Sequence, residues 1–420
     1  MNLIKINLQK INTFLLYFIV FLIPNQLAFH FWPNYSFVYG LRIDYLSIAI
    51  YLSDLLTFVY LIFSWLINKP KIRFSKSKLT NIFLLLFFVA INIFYSKQKE
   101  LSLFKWIKII ELLLFSIAVA KNKFLEKEKI YKTFCCSVFF FGIIGVLQTI
   151  KGSTLGGLLY LLGERKFNVL TPGISLLNVF NISVLKPYST FSHPNSLAGY
   201  LLLLLIYLFF WKSILNKDKL LKYLSILFII LLLLLSFSKA AVLTLFVIII
   251  VYYFDLLKTP KRTRLATLVL IMFSLLLPLI SAKLIKIQIS YPDSLSERLF
   301  LSDISGQLLK NNPVFGIGLN NFIYNMPTLN NMKLPFWLLQ PVHNIFLLVT
   351  VETGLLGVGV LLIILFKYID YLFSKDRKSF RYIFLAILLT ALCDHYWFTL
   401  EQNLILIFFF LGLSKNSQIK

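Results

Sequence analysis

Residues 193–210 read HPNSLAGYLLLLLIYLFF, with polar side chains at the start and an apolar run behind them. Pro194 occupies a first-turn position, where its missing N–H removes no helical hydrogen bond. The run that follows is apolar on every side, which is typical of a helix surrounded by lipid or by other helices. This segment therefore predicts a membrane helix that begins at a polar edge.

The same apolar pattern recurs along the whole chain of 420 residues. Hydrophobic residues make up 59% of the sequence and charged residues only 14%, whereas a soluble domain carries about a quarter charged residues. Apolar stretches of about 20 residues can cross about 30 Å of hydrocarbon. We therefore predict an all-α, polytopic integral membrane helical bundle of about 12 transmembrane helices, with residues 1–420 as a single membrane domain. The predicted spans are residues 11–29, 43–67, 79–95, 101–120, 130–150, 195–215, 220–236, 239–257, 265–283, 342–366, 380–398 and 402–414.

The formal net charge of +25 has a distribution that fits a lipid bilayer and not a nucleic acid. More than half of the 42 Lys and Arg residues fall in alternate short loops and in the two tails, not on one soluble face. By the positive-inside rule these loops and both termini are cytoplasmic, so residues 151–194 and 284–341 form outer loops. The basic segments are the N-terminal tail, residues 69–78, 121–129, 212–222, 258–264 and 367–381, and the C-terminal tail.

Both outer loops contain signals for local structure. Glycines and prolines interrupt residues 151–194, which indicates a folded-back segment. The large outer loop, residues 284–341, contains apolar residues at helical spacing between Ser294 and the stop signal Asn311-Asn312-Pro313. We predict an amphipathic helix there, lying on the outer interface of the membrane.

The sequence predicts neither a metal nor any other cofactor. Cys135, Cys136 and Cys393 all fall inside predicted spans, and no Cys/His group has the spacing of a zinc site. No pair of acidic residues in an outer loop resembles a metal site either.

Three residues at the predicted outer side of the membrane have side chains that could take part in catalysis or bind phosphate. His343 follows Pro341 at the start of a span, and an imidazole can accept a proton near neutral pH. Arg298 and Lys239 could neutralise phosphate oxygens, the first with a bidentate fork and the second as a point charge. The alternatives are an interfacial histidine bonded to a loop carbonyl and two cations that reach towards lipid head groups.

Two further segments offer backbone amides to an anion. His193 and Asn195 flank Pro194 at a helix N-terminus, where free amides and the helix dipole favour negative charge. The alternative is that either side chain simply caps the helix. Gly316 and Gly318 belong to a turn whose amides could approach phosphate or sugar, although Gly-x-Gly alone also fits an ordinary tight turn.

Acidic residues lie near these groups in the sequence. Glu352 follows His343 by nine residues, which places it on the opposite helical face and about 13 Å deeper. We therefore predict that Glu352 has a buried partner on another helix. Asp394, His395 and Glu401 are further candidates, but no motif surrounds them.

A set of short strings extends through residues 189–360 in a fixed order. They are STFSHPNSLAG at 189–199, SFSK at 236–239, SER at 296–298, NPVFGIG at 312–318, HN at 343–344 and ETGLLG at 352–357. This ordered set resembles the O-antigen ligase and polymerase family of bacterial membrane proteins. Lys239 stands where many members have arginine, a change that keeps the charge and removes the fork. The first 180 residues contribute only topology to the resemblance.

The resemblance implies a glycosyltransferase of the bacterial cytoplasmic membrane. It implies transfer of a glycan from an undecaprenyl-diphosphate-linked donor to a hydroxyl of a glycan, lipid or protein acceptor on the outer face. We expect this transfer to serve surface polysaccharide polymerisation or ligation, to invert the anomeric centre and to need no metal. His343 and Arg298 match the family's loop histidine and loop arginine and are predicted to be catalytic. The predicted substrate-binding residues are Lys239, His193, Asn195, Gly316, Gly318, Asn344 and Glu352.

Two alternatives remain open at this point. A transporter or flippase of lipid-linked saccharides would show inverted repeats and ionisable residues at the membrane midplane, of which Glu352 is the clearest example. Within the enzyme class, a ligase and a polymerase differ only in the acceptor, which the sequence does not specify.

The predicted orientation can be tested with single cysteines in a protein without Cys135, Cys136 and Cys393. A cysteine at Lys333 should react with a membrane-impermeant maleimide added to intact cells, whereas a cysteine at Lys375 should react only after the membrane is permeabilised. Labelling at position 375 from outside would contradict the orientation.

Overall fold

The computed structural model describes residues 2–68, 76–179, 182–210, 216–256, 294–329, 334–375 and 377–419. In chain order its helices are α1 (Asn2–Phe21), α2 (Leu52–Asn68), α3 (Lys76–Tyr95), α4 (Lys99–Lys121), α5 (Lys127–Lys151), α6 (Pro194–Phe210), α7 (Asn216–Ser236), α8 (Lys239–Leu256), α9 (Ser294–Asn311), α10 (Phe322–Asn325), α11 (Ile345–Ser374), α12 (Lys378–Ala391), α13 (Tyr396–Thr399) and α14 (Glu401–Lys415).

The helical architecture confirms the prediction of an all-α membrane protein. Each predicted apolar stretch overlaps a helix, except residues 265–283, which lie outside the described part of the chain. The predicted span 380–398 was too long, because it covers most of α12, a turn at residues 392–395 and most of α13. In that part, three helices are by length and composition suited to cross a membrane: Lys127–Lys151, Asp218–Ser236 and Ile345–Ser374. The count of 12 spans therefore stays a prediction.

Two predicted spans were too long because residues 28–51 form short strands. The strands are β1 (Ala28–Phe31), β2 (Phe37–Val38), β3 (Leu41–Arg42) and β4 (Ile48–Tyr51), with β1 antiparallel to β4 and β2 antiparallel to β3. Pro24 and Pro33 lack the N–H that a helix needs, and Gly40 adopts a φ of 79° at the β2–β3 turn. Helix α1 consequently ends at Phe21 and α2 begins at Leu52.

Residues 151–194 fold back on themselves, as predicted. They contain a short 3₁₀ helix (Gly157–Leu162) and the antiparallel strands β5 (Leu176–Val179) and β6 (Ile182–Leu185). The Glu164 carboxylate accepts hydrogen bonds from the backbone N–H groups of Leu155 and Gly156, at 2.8 and 2.7 Å. These bonds hold Glu164 against the beginning of the loop.

Helix α6 is the central helix of the largest hydrophobic core. It packs against α7, α8, α12 and α14, and Leu201 to Leu204 are fully buried. At its polar end the Asn403 amide donates to the Ser196 carbonyl at 3.1 Å. Protein therefore covers the apolar run on every side, which explains its uniform composition.

Helix α9 has the predicted bounds but a different environment. Its apolar residues Leu301, Ile304 and Leu308 are buried in one core with Val351 of α11. The expected position on a lipid interface was therefore wrong for this apolar face, because the adjoining turn brings α9 against protein. That turn, residues 312–318, fits against a kink in α11 at Gly354, whose φ is 69°.

Candidate active-site cleft

A cleft of about 1560 Å³ opens among the strands, loop 151–194 and the polar ends of the helices. Five of the predicted site residues line this cleft, although they come from four separate segments of the sequence. These five are His193, Asn195, Lys239, Arg298 and His343. The cleft therefore contains both predicted catalytic residues.

A turn of four residues between α12 and α13, Leu392 to His395, is bonded to two of these residues and to Asn344; we call it the hub loop. Arg298 Nη1 donates to the Cys393 carbonyl at 2.9 Å, and Asn195 Nδ2 donates to Asp394 Oδ2 at 3.0 Å. Asn344 Nδ2 donates to the Leu392 carbonyl at 3.3 Å. Three side chains that are distant in sequence are thus held on one loop.

His343 lies beside the hub loop. Its ring centroid is 5.1 Å from that of His395, and the ligand atoms of His343, Asp394 and His395 all lie within 4.8 Å of one another. Nδ1 of His343 has no hydrogen-bond partner within the described part of the chain. The imidazole is therefore positioned by packing and retains a lone pair or a proton for a ligand.

The surroundings keep His343 neutral. Burial above all, with the charges of His395 and Arg298, lowers the pKa of His343 to about 4 against the opposing effect of Asp394. Burial raises the pKa of Asp394, but His395, His343 and His193 outweigh burial and bring it to about 2. At neutral pH a neutral imidazole thus faces an ionised carboxylate.

His193 caps α6, which supports the structural alternative for this residue. Its Nδ1 accepts the backbone N–H of Asn195 at 3.1 Å. The neutral ring therefore carries its proton on Nε2, where it can donate to a ligand in the cleft. Capping and ligand binding are compatible at this position because they use different nitrogens.

Basic side chains also line the cleft. Lys239 is exposed at the first residue of α8, and its charge, after burial, helps to lower the pKa of Lys186. Arg165 donates to the Ser192 carbonyl at 2.7 Å. Sequence reasoning missed Lys186 and Arg165. Both residues lie in a predicted outer loop, where the positive-inside rule predicts few basic residues. This unexpected position could have marked them as candidates for the site.

The other predicted substrate-binding residues lie outside the cleft lining. Asn344 caps α11 by accepting the Leu347 N–H at 2.9 Å. An added Cβ would lie 2.5 Å from the Glu352 backbone at Gly316 and 2.4 Å from Ser96 at Gly318. Both glycines therefore permit close packing. The predicted role of these residues in binding stays a prediction.

Glu352 is buried under the turn that contains these glycines. Its Oε1 accepts the backbone N–H of Phe322 at 3.3 Å, so its partner lies outside its own helix, as predicted. Asn92 of α3 donates to the Glu352 carbonyl at 2.9 Å. Glu352 thereby joins three parts of the chain, and its role in substrate binding also stays a prediction.

The trio of His343, Asp394 and His395 could also hold a metal ion. Two imidazoles and a carboxylate with ligand atoms within 4.8 Å are a donor set that suits zinc or iron. No spacing signal for this trio exists in the sequence, because all of α11 and all of α12 separate His343 from the other two residues. A metal bound through His343 would occupy the lone pair that accepts a proton.

The chain is a helical membrane protein with a cation-lined cleft that contains a neutral histidine. Residues 224–362 match the family model described as O-antigen ligase. The match confirms the resemblance of this region to the O-antigen ligase and polymerase family. No curated protein matches the chain. The similarity indicates a glycosyltransferase-like enzyme of bacterial membranes that acts in glycan ligation or polymerisation, with lipid-linked glycan and acceptor substrates.

The Arg298–Cys393 contact predicts unequal effects of two exchanges between lysine and arginine. Arg298→Lys should weaken the binding of inorganic diphosphate about tenfold, because one ammonium cannot replace a fork that bonds the hub loop and a ligand together. Lys239→Arg should change it less than about threefold, because the charge is kept. Calorimetry on purified protein in buffer with a chelator measures both.

Equal losses in the two variants would contradict this assignment of the anion site. Loss of diphosphate binding by the unsubstituted protein on addition of the chelator would instead indicate that a metal ion at the His343 trio binds the anion.

Proposed function

We propose that this protein transfers a glycan from a polyprenyl-diphosphate-linked donor, undecaprenyl in bacteria, to an acceptor hydroxyl. The transfer takes place on the outer face of the cytoplasmic membrane, in polymerisation or ligation of a surface polysaccharide. The observation that carries this proposal is the neutral His343 in one cleft with Arg298 and Lys239. A proton acceptor and an anion clamp are what this reaction requires.

The reaction is a single displacement. The acceptor hydroxyl oxygen attacks the anomeric carbon, and the bond from that carbon to the diphosphate oxygen breaks with its electron pair on the diphosphate. Nε2 or Nδ1 of His343 takes the hydroxyl proton. One displacement from the face opposite the leaving group inverts the anomeric centre.

Charge in the cleft supports departure of the diphosphate. Arg298 and Lys239 stabilise the developing negative charge, and Lys186 adds a third cation near Lys239. These fixed cations take the part that a divalent metal has in many phosphoryl enzymes, so the proposed transfer needs no metal.

Asp394 supports the base. Its carboxylate stays ionised beside His343 and stabilises the imidazolium that forms when the proton is taken. Binding of an anionic donor raises the pKa of His343 from its low value in the free protein. The imidazole is then a stronger base when the substrate is present.

His343→Ala should abolish transfer while donor binding and membrane insertion are kept. A general base contributes about 10²–10⁴-fold, and each of the other described histidines already has a side-chain or backbone contact of its own. The measurement is product formation by the purified protein with a lipid extract of the source organism's membranes.

His343→Gln serves as the matched variant, because it keeps polar bonding without a titratable nitrogen. Transfer by either variant within about threefold of the unsubstituted protein would contradict the role of base.

The low pKa of His343 predicts an unusual pH profile for kcat/KM. The neutral form is the active one, so activity is present above the pKa and is lost as pH falls through about 4. A histidine with the ordinary pKa of about 6.5 would lose about nine tenths of its neutral form by pH 5.5. Rates between pH 4 and 8, with a return to pH 7 to check for irreversible unfolding, test this. A half-loss near pH 6.5 would contradict the environment described for His343.

A further inference from the structure

A second polar cluster lies in the floor of the same cleft. It joins Asp54 of α2, Lys108 of α4 and Glu401 of α14, which are only 8, 6 and 7% exposed. Lys108 Nζ bonds Asp54 Oδ2 and lies 3.7 Å from Glu401 Oε2. We call these three residues the floor cluster. The catalytic role proposed for His343 does not use it.

The floor cluster has carboxylate oxygens without hydrogen bonds among the described residues. Two carboxylates share one ammonium group. Asp54 Oδ1 and Glu401 Oε1 are both buried, and neither has a hydrogen-bond partner in the described part of the chain. An unbonded carboxylate oxygen in such surroundings is costly, whereas a donor from a ligand would satisfy it.

The floor cluster opens towards the cleft on one side. Lys108 and Glu401 line the cleft, whereas Asp54 lies behind them. Tyr51 also lines it, with Lys108 Nζ 5.0 Å from its ring centroid. A ligand would therefore meet a carboxylate oxygen, an ammonium group and an aromatic ring together.

A short stretch of chain connects the floor cluster to the proposed base. The Tyr45 ring contacts His395 at 5.6 Å between centroids, and His395 contacts His343 at 5.1 Å. Along the chain, Glu401 follows His395 by one short helix, α13. Both groups thus belong to one continuous wall, and one extended ligand can touch both.

The two parts of the cleft differ in charge, which selects different ligands. Lys186, Lys239 and Arg298 give one part a positive character that suits a diphosphate. In the floor cluster two carboxyl groups surround one ammonium group, and Lys105 also lines the cleft near Glu401, so this part of the cleft has no excess of positive charge to attract an anion. Neutral hydroxyl groups can donate to its carboxylates, and a sugar ring can pack its apolar face on a tyrosine.

We infer that the floor cluster is the acceptor subsite and that it binds the hydroxyl groups of a sugar on the acceptor. Glu401 Oε1 accepts a hydroxyl hydrogen, Lys108 donates to a neighbouring sugar oxygen, and Tyr51 packs against the ring. This inference rests on the proposed function and adds the place and the chemical class of the acceptor.

The test compares two fates of the donor in Glu401→Gln. The purified protein is given a lipid extract of the source organism's membranes, and glycan transferred to an acceptor is separated from free glycan released by water. We expect transfer to fall about tenfold or more, while donor binding and release by water stay within about twofold. The reason is that water can attack the donor without a binding subsite, whereas a sugar acceptor must be bound and oriented.

Glu126→Gln is the matched control, because it makes the same change at an exposed carboxylate paired with Lys129. Tyr51→Leu is a second test in case Glu401→Gln does not fold. It removes the ring but keeps the backbone N–H that donates to Asp54 Oδ2 at 2.6 Å. Tyr51→Leu should also reduce transfer more than release by water.

Three outcomes would overturn the inference. They are transfer unchanged in both variants, transfer and release falling equally, or donor binding falling as much as transfer does. The proposed function has its own test, because His343→Ala should lose transfer and release together. A normal His343→Ala rejects the reaction, whereas an inactive His343→Ala with normal Glu401→Gln and Tyr51→Leu rejects only the subsite.

Discussion

The hydrogen bond from the Arg298 guanidinium to the Cys393 carbonyl holds the cleft together. It joins α9 to the hub loop, and Asn195 and Asn344 join α6 and the start of α11 to the same loop. In apolar surroundings each of these polar groups needs a partner, so the loop is specified by several bonds at once. The distances within the candidate site depend on this loop.

Separation of charge is the second feature of the cleft. Cations collect near the ends of α8 and α9, and the floor cluster lies where α2, α4 and α14 meet. Transfer from an anionic donor to a neutral sugar benefits from such a division. A cleft with the same charge throughout would suit only one of the two substrates. His343 lies in the same cleft, beside His395.

The sequence predicted the existence of the helices more reliably than the residues at which they begin and end. The apolar runs identified α4, α5 and α7 to within a few residues, because transfer from water to lipid depends on composition and length alone. It extended the second span back to residue 43, where Ile48–Tyr51 are apolar but pair as a strand with Ala28–Phe31. Strand pairing is a long-range contact, and hydropathy does not report it.

By itself the sequence determined the membrane class, the family resemblance and the candidates His343, Arg298 and Lys239, because these follow from composition and from residues close together along the chain. The hub loop and the floor cluster were decided only by tertiary structure. Asp54, Lys108 and Glu401 are distant in sequence, and an ion cluster has no local pattern. Its existence depends on which helices become neighbours, and packing of their apolar faces determines that.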